Sequence, residues 1–350
     1  MNTATLSATQ TVQQARALAS VLLEHADLIG RVEARMIELA GNRVQDPGAR
    51  MVCEHLDTGG KRLRARLALA ACDALGGCAE DAIDWAAAVE LLHNASLVHD
   101  DIQDGDRSRR EKPALWARHG TAQAINAGDL LLMLPFRALG RYPADVQAAL
   151  VQVLAEYGES TARGQILELG LSAAAAKGWG DYVNAASGKT GTLFALPVRG
   201  AARLAGLPTD DAKRLASVFT SIGVLYQLQD DLLDLFDAKG RGAGGSDIYE
   251  GRLSAVVLTH LDLHPDEADA VFEVLAKPRH QTSAGEVERL IARLIEGGAT
   301  AQLVERIEAL AAELLASPVL SESSEMQDLA RELVQQVLVP LALAKGAHRE

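Results

Sequence analysis

Segments of about 15 to 30 residues rich in Ala, Leu, Glu and Arg recur along this chain, and runs of alternating β-branched residues are almost absent. Those residue types lose little side-chain freedom in a helix. A chain with so little strand pattern buries apolar surface by packing helix on helix. The expectation is an all-α fold, a bundle of about ten or more helices. Short turns such as Asp46-Pro47-Gly48 and Leu207-Pro208-Thr209-Asp210 would separate them. With 350 residues, 48% of them hydrophobic, the chain can bury a large core. No Pro- or Gly-rich linker, low-complexity run or solenoid-period repeat divides it. Residues 1–350 therefore read as a single domain, with about 1–10 and 345–350 flexible.

The net charge of −13 argues against a nucleic-acid partner or an anionic membrane surface. Cys53, Cys72 and Cys78 show neither CxxC nor metal-site spacing, and three cysteines in so long a chain fit a reducing cytoplasm. The N-terminus lacks a basic-then-apolar signal segment. The longest strongly apolar stretch, Leu130 to Phe136, is far too short to span a bilayer. A soluble, cytoplasmic protein is expected.

Two aspartate clusters point to chemistry: Asp100, Asp101 and Asp104, then Asp230, Asp231 and Asp234. Each ends a long apolar stretch readable as helix, and its first and last members are four apart, on one face. Stacked carboxylates repel, and anions near a helix C-terminus oppose the macrodipole. One such cluster reads equally well as a solvated acidic helix end. Two together point to divalent cations. Oxygen-only ligands favour Mg²⁺, and sparse protein ligation leaves positions for substrate phosphates. A calcium loop is excluded, because Ile102 or Gln103 falls where that loop needs its third-position ligand.

On a helix from about Asp84 to Gln103, residues His93, Ser96, Leu97, Asp100, Asp101 and Asp104 form one stripe, with Ala, Val, Leu and Ile elsewhere. A helix apolar on its other sides is buried all round, so its polar stripe lines a cavity. Phe219, Gly223, Tyr226, Gln227, Asp230, Asp231 and Asp234 trace a second stripe, apolar below and metal-binding at the mouth. Lys61 and Arg64, three apart on a helical stretch, would bring their charges together, with a basic solvated face as the equal alternative. Gly188-Lys189-Thr190 looks like a P-loop ending. Val183, however, stands where the first glycine belongs, and no strand precedes it.

The run Leu91 to Asp101, continuing to Arg109-Arg110 and Lys112-Pro113-Ala114-Leu115-Trp116, resembles the first aspartate-rich motif of the trans-isoprenyl diphosphate synthases, the polyprenyl synthetase family. Gly59-Gly60-Lys61-Arg62-Leu63-Arg64 resembles that family's isopentenyl diphosphate motif. Gly188-Lys189-Thr190 and Tyr226 to Asp234 follow in the family's order.

The resemblance implies a helical bundle around a central prenyl-binding cavity, a homodimer, and about three Mg²⁺ ions per site, with Mn²⁺ able to substitute. It implies condensation of isopentenyl diphosphate, head to tail, with an allylic prenyl diphosphate. Both aspartate clusters would bind metal, Asp100, Asp101, Asp104 and Asp230 acting in catalysis with Lys189, Thr190 and Gln227. Lys61, Arg64, His93 and Arg110 would hold isopentenyl diphosphate. Arg109, Lys189, Thr190, Gln227, Arg241 and Arg252 would meet the allylic diphosphate, the register of Arg241 against Lys239 remaining open.

Two residues depart from the family pattern: Glu111 replaces the usual glycine, and Arg252 replaces a lysine. Small residues at Ala95 and Ser96, just over one turn before Asp100, imply a product longer than fifteen carbons, namely geranylgeranyl diphosphate. A farnesyl or longer-chain product is the alternative within the family. A class I terpene cyclase and a non-catalytic synthase subunit are the readings outside it.

Overall fold

The computed structural model describes residues 22, 25–171, 178–236 and 244–347, the last six by helical backbone. Residues 1–10, 348–350 and Arg241 lie outside these, whereas 345–347, expected to be flexible, continue the final helix. The helices are α1 (Ala26–Ala40), α2 (Pro47–Leu56), α3 (Leu63–Ala74), α4 (Ile83–Gln103), α5 (Leu115–His119), α6 (Thr121–Ala138), α7 (Ala144–Leu169) and α8 (Trp179–Ala186). They continue with α9 (Thr192–Leu204), α10 (Thr209–Asp234), α11 (Ser246–Tyr249), α12 (Ala255–Leu263), α13 (Ala268–Leu275), α14 (Ala284–Glu296), α15 (Ala299–Leu315) and α16 (Ser324–Ala347). The fold is all-α. Among the described residues the one sheet is a two-stranded hairpin, β1 (Ser108–Arg109) with β2 (Lys112–Pro113).

Local chemistry sets several boundaries. The Asp46 side chain accepts the Gly48 N–H at 2.8 Å, with Pro47 in the first helical turn, so the turn read from sequence is the cap of α2. At the start of α3 the N–H groups of Arg64 and Ala65 both donate to Glu90 Oε1 at 3.1 Å. A buried glutamate from α4 thus takes up helix-terminal donors that would otherwise be unpaired.

The central helices are α4, α9 and α10. Helix α4 runs within one residue of the expected start and is buried almost all round, from Trp85 through Ala95. It packs on α6, α3, α1 and α9, and α9 in turn packs on α10, α3 and α7. Its lower end is pinned to α9. The Trp85 indole donates to Pro197 O at 3.0 Å, and its ring occupies the space beside Gly200 where a Cβ would approach to 2.0 Å.

Between α8 and α9 the chain makes a π-helical turn, Ser187–Gly191, a form common at functional sites. Glycines hold it on both sides. A Cβ on Gly164 of α7 would lie 2.1 Å from Lys189 N, and one on Gly223 of α10 would lie 2.6 Å from Gly191 Cα. Backbone therefore touches backbone on either flank of Lys189 and Thr190.

Gly164→Ala forces the turn away from α7. Overpacking of this kind costs about 1–3 kcal/mol. The expected result is a thermal midpoint lowered by several degrees, measured by circular dichroism; an unchanged midpoint would mean that this contact is not tight.

Candidate active site

The first aspartate cluster sits at the C-terminal end of α4, where its charge is unfavourable to the helix dipole. Cations from distant elements offset it. Lys189 Nζ pairs with Glu168 of α7 and lies 3.8 Å from Asp100 Oδ1. Arg252 pairs with Asp104, reaches Glu250 at 2.8 Å and approaches Glu168 to 4.0 Å. Arg279 donates to Asp104 O, at the helix terminus itself, at 3.1 Å.

Burial pushes the Asp100 carboxyl up to about 6; the Asp104 and Glu168 charges act in the same direction and Lys189 opposes them. Burial disfavours the Arg252 charge, but the Asp104, Glu250 and Glu168 carboxylates outweigh it and keep the guanidinium firmly protonated. Glu168 joins these pairs and was missed in the sequence. Its only signal there is the four-residue step from Gly164, which puts both on the face of α7 turned to the π-turn.

The six aspartates are not equivalent. Asp101 is 2% exposed and gripped by the Arg109 guanidinium, with Nε at 2.9 and 3.0 Å and Nη2 at 2.6 Å. Asp231 is buried and accepts from Tyr182 Oη, Gln227 Nε2 and Ala255 N, each at 2.8 Å. Asp234 is buried and accepts the Asp247 N–H at 3.0 Å. These three carboxylates face protein donors. Asp100, Asp104 and Asp230 are half-buried.

Thr190 Oγ1 donates to Gln227 Oε1 at 2.7 Å, and Gln227 passes the connection on to Asp231. The second cluster is thereby wired to the π-turn. Glu168, Tyr182, Gln227, Asp231, Arg252 and Ser254 line one shared cleft, which brings together residues associated with both clusters.

Asp100, Asp104 and Glu168 carry carboxylate oxygens, the donor type that suits Mg²⁺. That ion is commonly held by one or two carboxylates and completed by waters and substrate phosphates. A closed protein cage is not required, and among the described residues no cage of three or more such groups is assembled.

A second cationic site lies beside the hairpin. The Arg110 guanidinium fills the space next to Gly60, where a Cβ would come within 2.5 Å of it. Arg64 lies over the Phe194 ring, 5.5 Å from its centroid, its Nε buried with no hydrogen-bond partner among the described residues. Among the described residues, His93 Nδ1 and His55 Nε2 are likewise buried without hydrogen-bond partners. Burial, then the Arg64, Arg109 and Arg110 charges, holds His93 well below its ordinary range; burial with Arg109 and Arg110 brings His55 to about 3. Both imidazoles are neutral near pH 7. His55 had no sequence signal beyond lying six residues before Lys61.

Lys61 is placed differently from its expected helical position. Helix α3 begins at Leu63, and Arg62 interrupts the chain with φ 50°. Arg62 is buried and bonded to Glu33 and to Leu56 O, while Lys61 is exposed. Glu90 fixes the helix start too late for Lys61 and Arg64 to share one helical face.

Arg107 stacks on Trp116 at 5.3 Å. Ala95 is fully buried; Ser96 is half-buried and donates to His93 O at 2.7 Å.

All-α helices, with carboxylate clusters ending α4 and α10 and cationic side chains gathered beside them, define an all-α protein with a charged mouth. More specifically, the chain belongs to the polyprenyl synthetase family, whose model matches residues 48–294. A short chain isoprenyl diphosphate synthase from Methanothermobacter thermautotrophicus is 35% identical over 60% of this chain and 66% of its own. A geranylgeranyl pyrophosphate synthase from Geoglobus acetivorans is 30% identical over 83% and 88%. The crystal structure of a polyprenyl synthase from Caulobacter crescentus CB15, complexed with calcium and isoprenyl diphosphate, is 25% identical. It covers 91% of this chain and 97% of its own with a TM-score of 0.81. The chain spans less than two thirds of the first of these relatives, and 49% of a farnesyl diphosphate synthase from Mycobacterium bovis.

The departure at Glu111 has a clear local form. Arg109 pairs with Lys112, so Arg110 and Glu111 make a two-residue turn, at φ 51° and 65°. Both lie in the left-handed region, where such turns favour glycine or asparagine. Glu111→Gly relieves strain at one of them, partly offset by the entropy glycine loses on folding. A gain of roughly 1 kcal/mol is expected, read as a higher urea midpoint. A lower midpoint would mean that the Glu111 side chain makes a compensating interaction.

Proposed function

We propose that this protein is a trans-prenyltransferase that condenses isopentenyl diphosphate head to tail with an allylic diphosphate, with geranylgeranyl diphosphate as its main product. The observation that carries this reading is two cationic seats of different character. One is mixed with the carboxylates Asp100, Asp104 and Glu168; the other gathers Arg64 and Arg110 around neutral histidines. A diphosphate held through metal suits the first, and a metal-free diphosphate suits the second. A cyclase needs one such seat and elongation needs two.

Asp100, Asp104 and Asp230 would hold Mg²⁺, about three ions per site by family resemblance and replaceable by Mn²⁺, with Glu168 beside them. The metal supplies neutralisation of charge on the leaving diphosphate. Asp101, Asp231 and Asp234 act indirectly in this reading. Asp101 aims Arg109, Asp231 orients Gln227 and Tyr182, and Asp234 fixes the loop leading to Arg252.

The allylic C–O bond breaks and its electron pair leaves with the diphosphate, whose charge Lys189, Arg109 and Arg252 stabilise. The carbonyl oxygen of Gln227 keeps a lone pair beyond its bond to Thr190, and with the Thr190 hydroxyl it faces the allylic cation. Arg64, Arg110 and His93 hold isopentenyl diphosphate, joined by the exposed Lys61, which lies two residues before α3. The double bond attacks the cation, and a proton then leaves to the departing diphosphate. Holding both reactants in register supplies the entropic part of catalysis.

The name of the Geoglobus acetivorans relative and the small Ala95 and Ser96 support the twenty-carbon product, although a farnesyl name also occurs among the relatives. Ile125, Met133 and Phe136, exposed on one stripe of α6, support a homodimer. No described helix is long and apolar enough to cross a membrane. Three free cysteines support placement in the cytoplasm.

Asp100→Ala and Asp230→Ala should each lower turnover by several orders of magnitude with folding retained, since each removes a proposed metal ligand. Incorporation of radiolabelled isopentenyl diphosphate into extractable product measures this. Near-normal turnover in either folded variant would refute the metal clamp.

Ser96→Phe adds bulk one turn below Asp100 without charge. The alcohols released from its products should shift to fifteen carbons or fewer, and an unchanged chromatogram would place the tail elsewhere.

A further inference from the structure

Arg252 stands where the family pattern has a lysine, and the structure uses the whole of its guanidinium. Nε pairs with Glu250 Oε2 at 2.8 Å, Nη2 pairs with Asp104, and Nη1 approaches Glu168 to 4.0 Å. Three carboxylates thus share three different nitrogens of one side chain. A lysine carries a single ammonium on a flexible stem and cannot present separate edges to separate partners.

Asp104 and Glu168 already belong to the proposed metal and diphosphate seat, whereas Glu250 has no such duty. Its side chain is 12% exposed, and burial pushes its carboxyl up while Arg252 pulls the other way. A buried carboxylate is costly unless it is paired. Its second oxygen accepts from Ser246 Oγ at 3.2 Å and from Arg279 Nη1 at 3.4 Å. Arg279 does not depend on it, because the same nitrogen donates to Asp104 O at 3.1 Å and lies 3.7 Å from Asp106 Oδ1. The shortest of the Glu250 contacts is the one to Arg252.

The backbone brings the pair together. Helix α11 ends at Tyr249, and Gly251 follows Glu250 at φ 70°, in the left-handed region. A Cβ on Gly251 would lie 2.3 Å from Leu275 O, so the turn is pressed against the end of α13. The Arg252 N–H donates to Asp247 O at 2.9 Å and closes the turn. Arg252 then lines both the shared cleft and a neighbouring hollow that Asp104, Glu250 and Arg279 also line.

We propose that Glu250 is a positioning residue for the condensation, holding the Nε edge of Arg252 so that its two terminal nitrogens face the allylic diphosphate. This rests on the elongation reading given above. Phosphate oxygens compete with Asp104 and Glu168 for the terminal nitrogens, but Glu250 holds an edge that the diphosphate does not need. The planar fork is therefore aimed before the anion arrives, and little side-chain freedom is lost on binding. The arginine at this position and the glutamate two residues before it work as a unit.

The test compares the wild-type protein with Glu250→Ala, Arg252→Lys, the two combined, and Glu250→Gln. Folding is checked by circular dichroism, and each substrate is varied in turn with Mg²⁺ present. Glu250→Ala should raise the KM for the allylic diphosphate about tenfold, as expected for one charge-assisted contact, and leave that for isopentenyl diphosphate unchanged. In the Arg252→Lys background the same change should add almost nothing, because lysine has no Nε edge to hold. Glu250→Gln, whose amide oxygen still accepts from Nε, should recover most of the loss. The dissociation constant of inorganic pyrophosphate, read by calorimetry, should follow the same order, and it serves the comparison should Arg252→Lys turn over too slowly to assay. Should Glu250→Ala unfold, Glu250→Asp takes its place, withdrawing the carboxylate from Nε by one methylene. An equal loss in the arginine and lysine backgrounds, or a glutamine variant as impaired as the alanine one, overturns the proposal. A folded wild-type protein that binds pyrophosphate yet elongates nothing overturns the elongation reading instead.

Discussion

The backbone contact between the π-turn and its two flanking helices is the constraint on which the site depends. A helix normally keeps its neighbour at side-chain distance. Here Gly164, Gly188, Gly191 and Gly223 remove that spacing, and α7 and α10 close directly on the turn. Lys189 and Thr190 consequently emerge between the two helices. Lys189 is directed to Glu168 and Asp100 on one side, and Thr190 to Gln227 on the other. A side chain at any of these glycines would push α7 or α10 away from the turn that carries Lys189 and Thr190.

Electrostatics then arranges the mouth. Negative charge at the C-terminus of α4 is unfavourable, and the chain counters it with cations drawn from β1, the π-turn, the segment after α11 and the turn after α13. The net charge of −13 is therefore a poor guide to the local field, since guanidinium and ammonium groups surround the site on most sides. Burial sharpens the effect. The same carboxylates that hold these cations lie partly out of water, where each charge is worth more than at the surface.

The helical class and the course of α4 were legible because composition and a 3.6-residue period are properties of single segments. The aspartate clusters were legible for the same reason: four-residue spacing needs no tertiary information. What the sequence concealed came from contacts between segments. Glu168 looked like one acidic residue among many until Lys189 was placed against it. His55 gained meaning from the arginines of a hairpin more than fifty residues away. The helical placement of Lys61 failed because Glu90, on another helix, decides where α3 begins. The different employment of Asp101 and Asp100, adjacent in sequence, follows from which one Arg109 reaches.

The contact of Gly60 with Arg110 carries a consequence for how this family of motifs is dissected. The guanidinium lies where a side chain at position 60 would be, and the glycine already sits at φ 135°. Position 60 and position 110 are thus one object divided between two motifs. Alanine in place of the glycine would act as an arginine deletion while leaving every arginine in the chain. A loss of activity mapped to the glycine pair would then report on the hairpin fifty residues downstream.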